Sequence, residues 1–147
     1  MERNTIENIL NFLKEKEDYE LPERWFESIE KFKLIEKLKN HPDDIQYKHV
    51  GALDLDRTNI RKLPKYLHVT SYLSLNNCNQ ITELPDNLYV GHNLFLIETS
   101  IEELPDNLYV GRKLFIGNTP LAKKYTDEEI YKMVRLGGGE IVGRIIR

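Results

Sequence analysis

The sequence predicts a mixed α/β chain. Its centre is a short solenoid of mainly β or extended coils, preceded by a helical segment and closed by a helix-and-strand cap. Three observations carry that expectation. Residues 84–93, LPDNLYVGHN, and 104–113, LPDNLYVGRK, are nearly one stretch written twice, 20 residues apart. Paired L-x-L positions recur in step with them. The flanking segments lack both marks. A fixed period near ~20 residues is the sign of a repeat stack, in which each coil buries its apolar stripe only against its neighbours.

Residues 1–44 form the first segment, a helical cap rich in lysine and glutamate. Ile6, Ile9, Leu10 and Leu13 fall at helical spacing, which predicts a helix over about 3–16. Pro22 suits a first helical turn, and Trp25, Ile29, Phe32 and Leu38 mark a second apolar stripe. Asn40-His41-Pro42 stops it, so a second helix is expected over about 22–39. This segment holds 8 basic and 12 acidic residues, while 45–147 hold 13 and 12. The acidity of the chain therefore sits in its helices.

Residues 45–124 form the array. Its L-x-L pairs are Leu53/Leu55, Leu73/Leu75, Leu94/Leu96 and Leu114/Ile116. Thr58, Cys78, Thr99 and Thr119 follow each pair, and Ile60, Ile81, Ile101 and Leu121 come next. Both leucines of a pair point inward and the residue between them outward, as alternation in a strand requires. Leu63-Pro64, Leu84-Pro85 and Leu104-Pro105 open an extended return, because proline fixes φ and donates no ladder hydrogen bond. Asp-Asn after two of these prolines suits a turn. The pairs Leu67/Val69, Leu88/Val90 and Leu108/Val110 complete each coil. One coil is longer by a residue in Asn77-Cys78-Asn79-Gln80. The first looks incomplete, with Val50-Gly51 one residue nearer its L-x-L than Val90-Gly91 is.

Residues 125–147 form the closing cap. Thr126-Asp127-Glu128-Glu129 is a capping box, and Ile130, Met133 and Val134 give a short apolar face. Gly137-Gly138-Gly139 is expected to end that helix, and Ile141, Val142, Ile145 and Ile146 to add a last strand. An open solenoid end exposes core leucines and a strand edge, so a cap is physically required.

The bulk numbers exclude several classes. The chain has 147 residues, 40% hydrophobic and 31% charged, which is globular rather than disordered. Its net charge of -3 gives no push toward nucleic acid. A single cysteine, Cys78, allows no internal disulfide and no cysteine zinc site. No secretory signal or membrane-spanning run is visible, and a cytoplasmic location is expected.

The repeats LPDNLYVGHNLFLIETSIEE (84–103) and LPDNLYVGRKLFIGNTPLAK (104–123) resemble leucine-rich repeats, most closely the short proline-containing type of bacterial and bacteriophage proteins. LAKKYTDEEIYKM (121–133) resembles the closing piece of such arrays. The chain departs from the common pattern by Thr or Cys at the usual Asn, and by Gly91 and Gly111 at a usual Leu. The resemblance implies protein–protein binding and, in phages, small accessory proteins. If phage-encoded, the chain would work in the host cytoplasm.

Candidate chemistry is sparse. His41, His49, His68 and His92 show no metal-ligand spacing, and His68 shares a column with Tyr89 and Tyr109. Cys78 reads as a small buried residue in the Thr column. Gly137–Gly139 lacks the G-K-[ST] ending of a phosphate loop. Asp54 and Asp56 read as a solvated strand face, because no other coil completes the pair. No catalytic residue, metal site or cofactor is expected.

The outward strand column is different. Asp54, Ser74, Phe95 and Phe115 should form a line, with Tyr72, Asn93 and Lys113 beside it. Outward phenyl rings rimmed by polar groups mark an interaction site. The expected binding residues are therefore Tyr72, Asn93, Phe95, Lys113 and Phe115. Cover by the N-terminal helices or a second subunit is the competing reading. The expected function is a non-enzymatic protein-binding module, in its specific form a phage-encoded stoichiometric inhibitor of a host defence protein such as a nuclease. The alternative is a self-assembling homo-oligomer, and a nucleic-acid binder is a minor third.

Overall fold

The computed structural model describes residues 8, 11 and 23–147, the side chains of 23–26 excepted. The chain divides into two compact units, Met1–Asn40 and His41–Arg147. In the first, helix α1 spans Glu23–Lys39. Its glutamates, lysines and leucines are good helix formers. Lys37 and Lys39 lie in its last turn, where the helix dipole favours cations. Ile29, Ile35 and Leu38 are buried, whereas Glu27, Glu30 and Lys33 are exposed. Of the stripe read from the sequence, Ile29 and Leu38 are buried and Phe32 is half-buried, while the side chain of Trp25 lies outside the described residues. The helix expected over 3–16 lies outside the described residues, apart from Asn8 and Asn11, which are helical and exposed.

The second unit is a parallel β-solenoid. Each coil gives one short strand to each of two five-stranded sheets. The first sheet runs β1 (Lys48–His49), β3 (His68–Val69), β5 (Tyr89–Val90), β7 (Tyr109–Val110) and β9 (Glu140–Ile141). The second runs β2 (Leu53–Asp54), β4 (Leu73–Ser74), β6 (Leu94–Phe95), β8 (Leu114–Phe115) and β10 (Ile145–Ile146). Every pairing is parallel. Leu53, Leu73, Leu94, Leu114 and Ile145 therefore stack in one column. Val69, Val90, Val110 and Ile141 stack in another.

These columns are the core. The L-x-L leucines, the isoleucine column Ile60/Ile81/Ile101 and the pairs Leu88/Val90 and Leu108/Val110 are fully buried. The Thr column earns its place by a local bond. Thr58, Thr99 and Thr119 hydroxyls each donate to the carbonyl three residues back, on Leu55, Leu96 and Ile116. Buried hydroxyls are tolerated only when so paired.

Two corner columns bend the chain through left-handed backbone. Arg57, Asn77, Glu98 and Asn118 occupy one, and Tyr66, Asn87, Asn107 and Gly138 the other, all with φ between 55° and 83°. Asparagine and glycine reach this region most easily. The Asp-Asn turns were legible for that reason, whereas Arg57, Tyr66 and Glu98 carry no such sign. A third corner needs close approach instead. A Cβ on Gly91 would overlap the Thr70 carbonyl, and one on Gly111 the Gly91 carbonyl. These glycines replace the leucine of the common repeat because the neighbouring coil leaves no room for a side chain.

The cap contains α2 (Pro120–Lys124) and α3 (Asp127–Leu136). The α3 capping box is complete: the Glu129 N–H donates to the Thr126 hydroxyl, and the Thr126 N–H to the Glu129 carboxylate. Ile130 and Val134 are buried beneath it. Arg147 then ties the chain end to the α2–α3 linker, donating to the Ala122 and Tyr125 carbonyls and to Asp127.

Three expectations need correction. The extended return is itself a strand in each coil, which creates the first sheet. The first coil is complete: His49, not Val50, pairs with Val69, and Val50 is 79% exposed. The His49 ring bonds the Ala52 carbonyl at 2.9 Å, which lets a polar ring occupy an apolar column. Gly137 does cap α3, but Gly138 and Gly139 already belong to a further coil, with the Asn107 N–H donating to the Gly137 carbonyl. That coil supplies two strands, β9 and β10, where one was expected.

Candidate functional site

The outer face of the second sheet collects all five expected binding residues. Asp54, Ser74, Phe95, Phe115 and Ile146 are ladder partners in one outward column. Phe95 and Phe115 stack at 4.5 Å with planes 18° apart. Tyr72 meets Phe95 edge-on at 5.9 Å. Such contacts stabilise by about 0.5–1.5 kcal/mol each beyond area burial. Both phenyl rings remain half-buried, and Tyr72 is 37% exposed.

Tyr72, Asn93, Lys113 and Arg144 run beside that column, each carbonyl accepting the inward leucine N–H of the preceding coil. The Asn93 amide oxygen accepts the Lys113 N–H at 3.0 Å, so Asn93 holds the coil stack as well as lining the face. Lys113 and Arg144 are exposed at one end and Asp54 at the other. The apolar strip thus carries opposite charges at its two ends.

Sequence reasoning missed Ile146 and Arg144. Their signal was IVGRII (141–146), which the ladder register sets against VGRKLF (110–115), with apolar residues matching at 141, 145 and 146 and a cation at 144. The intervening helices break the period and hide the match.

The carboxylates have structural work. Asp56 accepts the Ser74 hydroxyl at 2.5 Å and the Asn76 N–H at 2.9 Å. The Asn76 side chain accepts the Ile97 N–H in turn. Side chains of one coil therefore pin the backbone of the next along this edge. Ser74 is buried by this pairing although it points outward.

Cys78 is fully buried, and its thiol donates to the Leu55 carbonyl at 2.9 Å. Reactivity needs an accessible thiolate. An alkylating reagent should therefore modify Cys78 only as the chain unfolds, and rapid labelling of the folded protein would contradict its placement. Among the described residues, no three His, Cys, Asp or Glu side chains converge on a metal-sized point. No described helix is long and apolar enough to cross a membrane.

The first sheet carries a second aromatic ladder. His68 stacks on Tyr89 at 4.1 Å, and Tyr89 on Tyr109 at 4.7 Å, with ring planes nearly parallel. Burial, with a smaller contribution from the Lys48 charge, holds the His68 imidazole below its ordinary 6.5. The folded chain therefore takes up this proton at lower pH than the unfolded chain. The resulting stability is fully present above about pH 6.5 and is lost as pH falls through the folded value. His68→Gln should flatten the fall in melting temperature between about pH 7 and pH 5. A parallel fall in both proteins would contradict this role.

Compared with family models, curated proteins and solved structures, the chain matches none.

Proposed function

We propose that this chain is a non-enzymatic protein-interaction module that docks a partner protein on the outer face of the second sheet. The stacked Phe95–Phe115 pair carries the reading. Phenyl rings at outward strand positions gain nothing from facing water. With Tyr72 beside them and charged residues around them, they have the anatomy of an interface: an aromatic centre and a polar rim. The groups best suited to chemistry are already engaged, Cys78 in the core and Asp56 in holding the next coil.

Membership of the short bacterial and phage leucine-rich-repeat proteins is part of this proposal, supported by the LPDNLYVG repeats. So is its narrower form, a stoichiometric inhibitor of a host defence enzyme such as a nuclease, acting in the host cytoplasm. Affinity capture from bacterial lysate tests both. A tagged chain should retain a host protein in stoichiometric amount, and Phe95→Ser with Phe115→Ser should lose it while still melting in one cooperative transition. Equal capture by the double variant would sink the proposed face.

A further inference from the structure

The first sheet's outer face is separate from the one just assigned, and it has a property of its own. Its central column runs Lys48, His68, Tyr89, Tyr109, Glu140, fixed by the ladder register. The column is cationic at one end and anionic at the other, and both end residues are exposed. We propose that this face pairs with the same face of a second copy, with the coil order reversed, to form a two-fold dimer.

The register makes the argument. A two-fold axis along the strand direction through β5 turns the face over and inverts the coil order. Lys48 of each copy then meets Glu140 of the other. His68 meets Tyr109, and Tyr89 meets its own counterpart across the axis. A two-fold contact of this kind needs a self-complementary patch, which this column provides.

The next outward column follows suit. It places Val50 at the first coil and Val142 at the last. They are 79% and 55% exposed, unusual for valine, and the same axis sets them opposite each other. The alternative face-to-face arrangement keeps the coil order. It would put Lys48 on Lys48 and Glu140 on Glu140, and like charges in contact exclude it. Charge thus selects one arrangement of two.

Five strands span about 20 Å, and the two outward columns lie about 7 Å apart. That is well under the ~800 Å² per partner of a standard interface. The dimer is accordingly weak and concentration-dependent. It leaves the Phe95–Phe115 face of each copy outward, so a dimer presents that face twice.

Sedimentation equilibrium on the full chain from about 10 µM to about 1 mM tests this, the range a small interface calls for. The expected result is a monomer–dimer equilibrium. Lys48→Glu alone and Glu140→Lys alone should each weaken it about tenfold or more, since each places two like-charged pairs in the dimer. An equimolar mixture of the two variants should recover parental dimerisation, because their heterodimer restores both pairs. Recovery on mixing also shows that both variants fold. Val50→Asp should weaken dimerisation without a charge partner to rescue it. A monomer across the whole range would overturn the proposal. So would single reversals that dimerise like the parent, or a mixture that dimerises no better than its components.

Discussion

Leu94→Ala should cost about 2–5 kcal/mol of stability. Leu94 is fully buried, with Leu73 on one side of its column and Leu114 on the other. Truncation leaves a cavity between two coils whose backbones are bonded in register, and a bonded ladder cannot collapse into the gap. The lost transfer free energy and the cavity term therefore add. Against a total of about 5–15 kcal/mol, this is a large fraction. For a chain of this length it corresponds to a fall in melting temperature of roughly 5–20 °C. Lys113→Ala, at an exposed position next to the same stack, should stay within about 0.5 kcal/mol of the parent. Equal melting of the two variants would show that the leucine column is not the core.

Gly111→Val should destabilise the chain although it removes no core side chain. The corner at Gly111 brings its Cα against the Gly91 carbonyl, so any Cβ overlaps backbone rather than a movable side chain. Relief requires the coils to separate, which strains the ladder bonds on both sides. Overpacking of this kind costs about 1–3 kcal/mol, and β-branching raises it within that range. Gly117→Ala is the control. Its nearest neighbour atom would be 3.6 Å from the new Cβ, an ordinary contact. Thermal melting should separate the two clearly. A Gly111→Val protein as stable as Gly117→Ala would contradict the close packing of the corner.

Some of this was readable from the sequence and some was not, for physical reasons. The L-x-L columns were readable because period-2 alternation and the 20-residue shift act together. The α3 capping box was readable because local side-chain bonding dictates it, and the Asn87 and Asn107 corners because asparagine tolerates left-handed backbone. The first sheet was hidden because its outward ring, Tyr89 or Tyr109, follows a Leu-Pro-Asp-Asn stretch that looks like turn alone. Val50 misled because it is apolar, yet His49 takes the inward place by bonding a carbonyl. The final coil was hidden because Gly137–Gly139 replaces Asp-Asn-Leu after two helices have broken the period. For the candidate site, the Phe95 and Phe115 line followed from the repeat itself. Its closing residues, Arg144 and Ile146, lay in the coil that was not aligned.

On the proposed reading, the second sheet's outer face docks a partner protein. Site-specific photo-crosslinking tests it most directly, with a photoreactive phenylalanine analogue placed at Tyr72 or, as a control, at exposed Lys62, outside both strands of its coil. The expected result is a covalent adduct to a protein other than this chain from position 72 and none from position 62. An adduct from position 62 with none from position 72 would contradict the account.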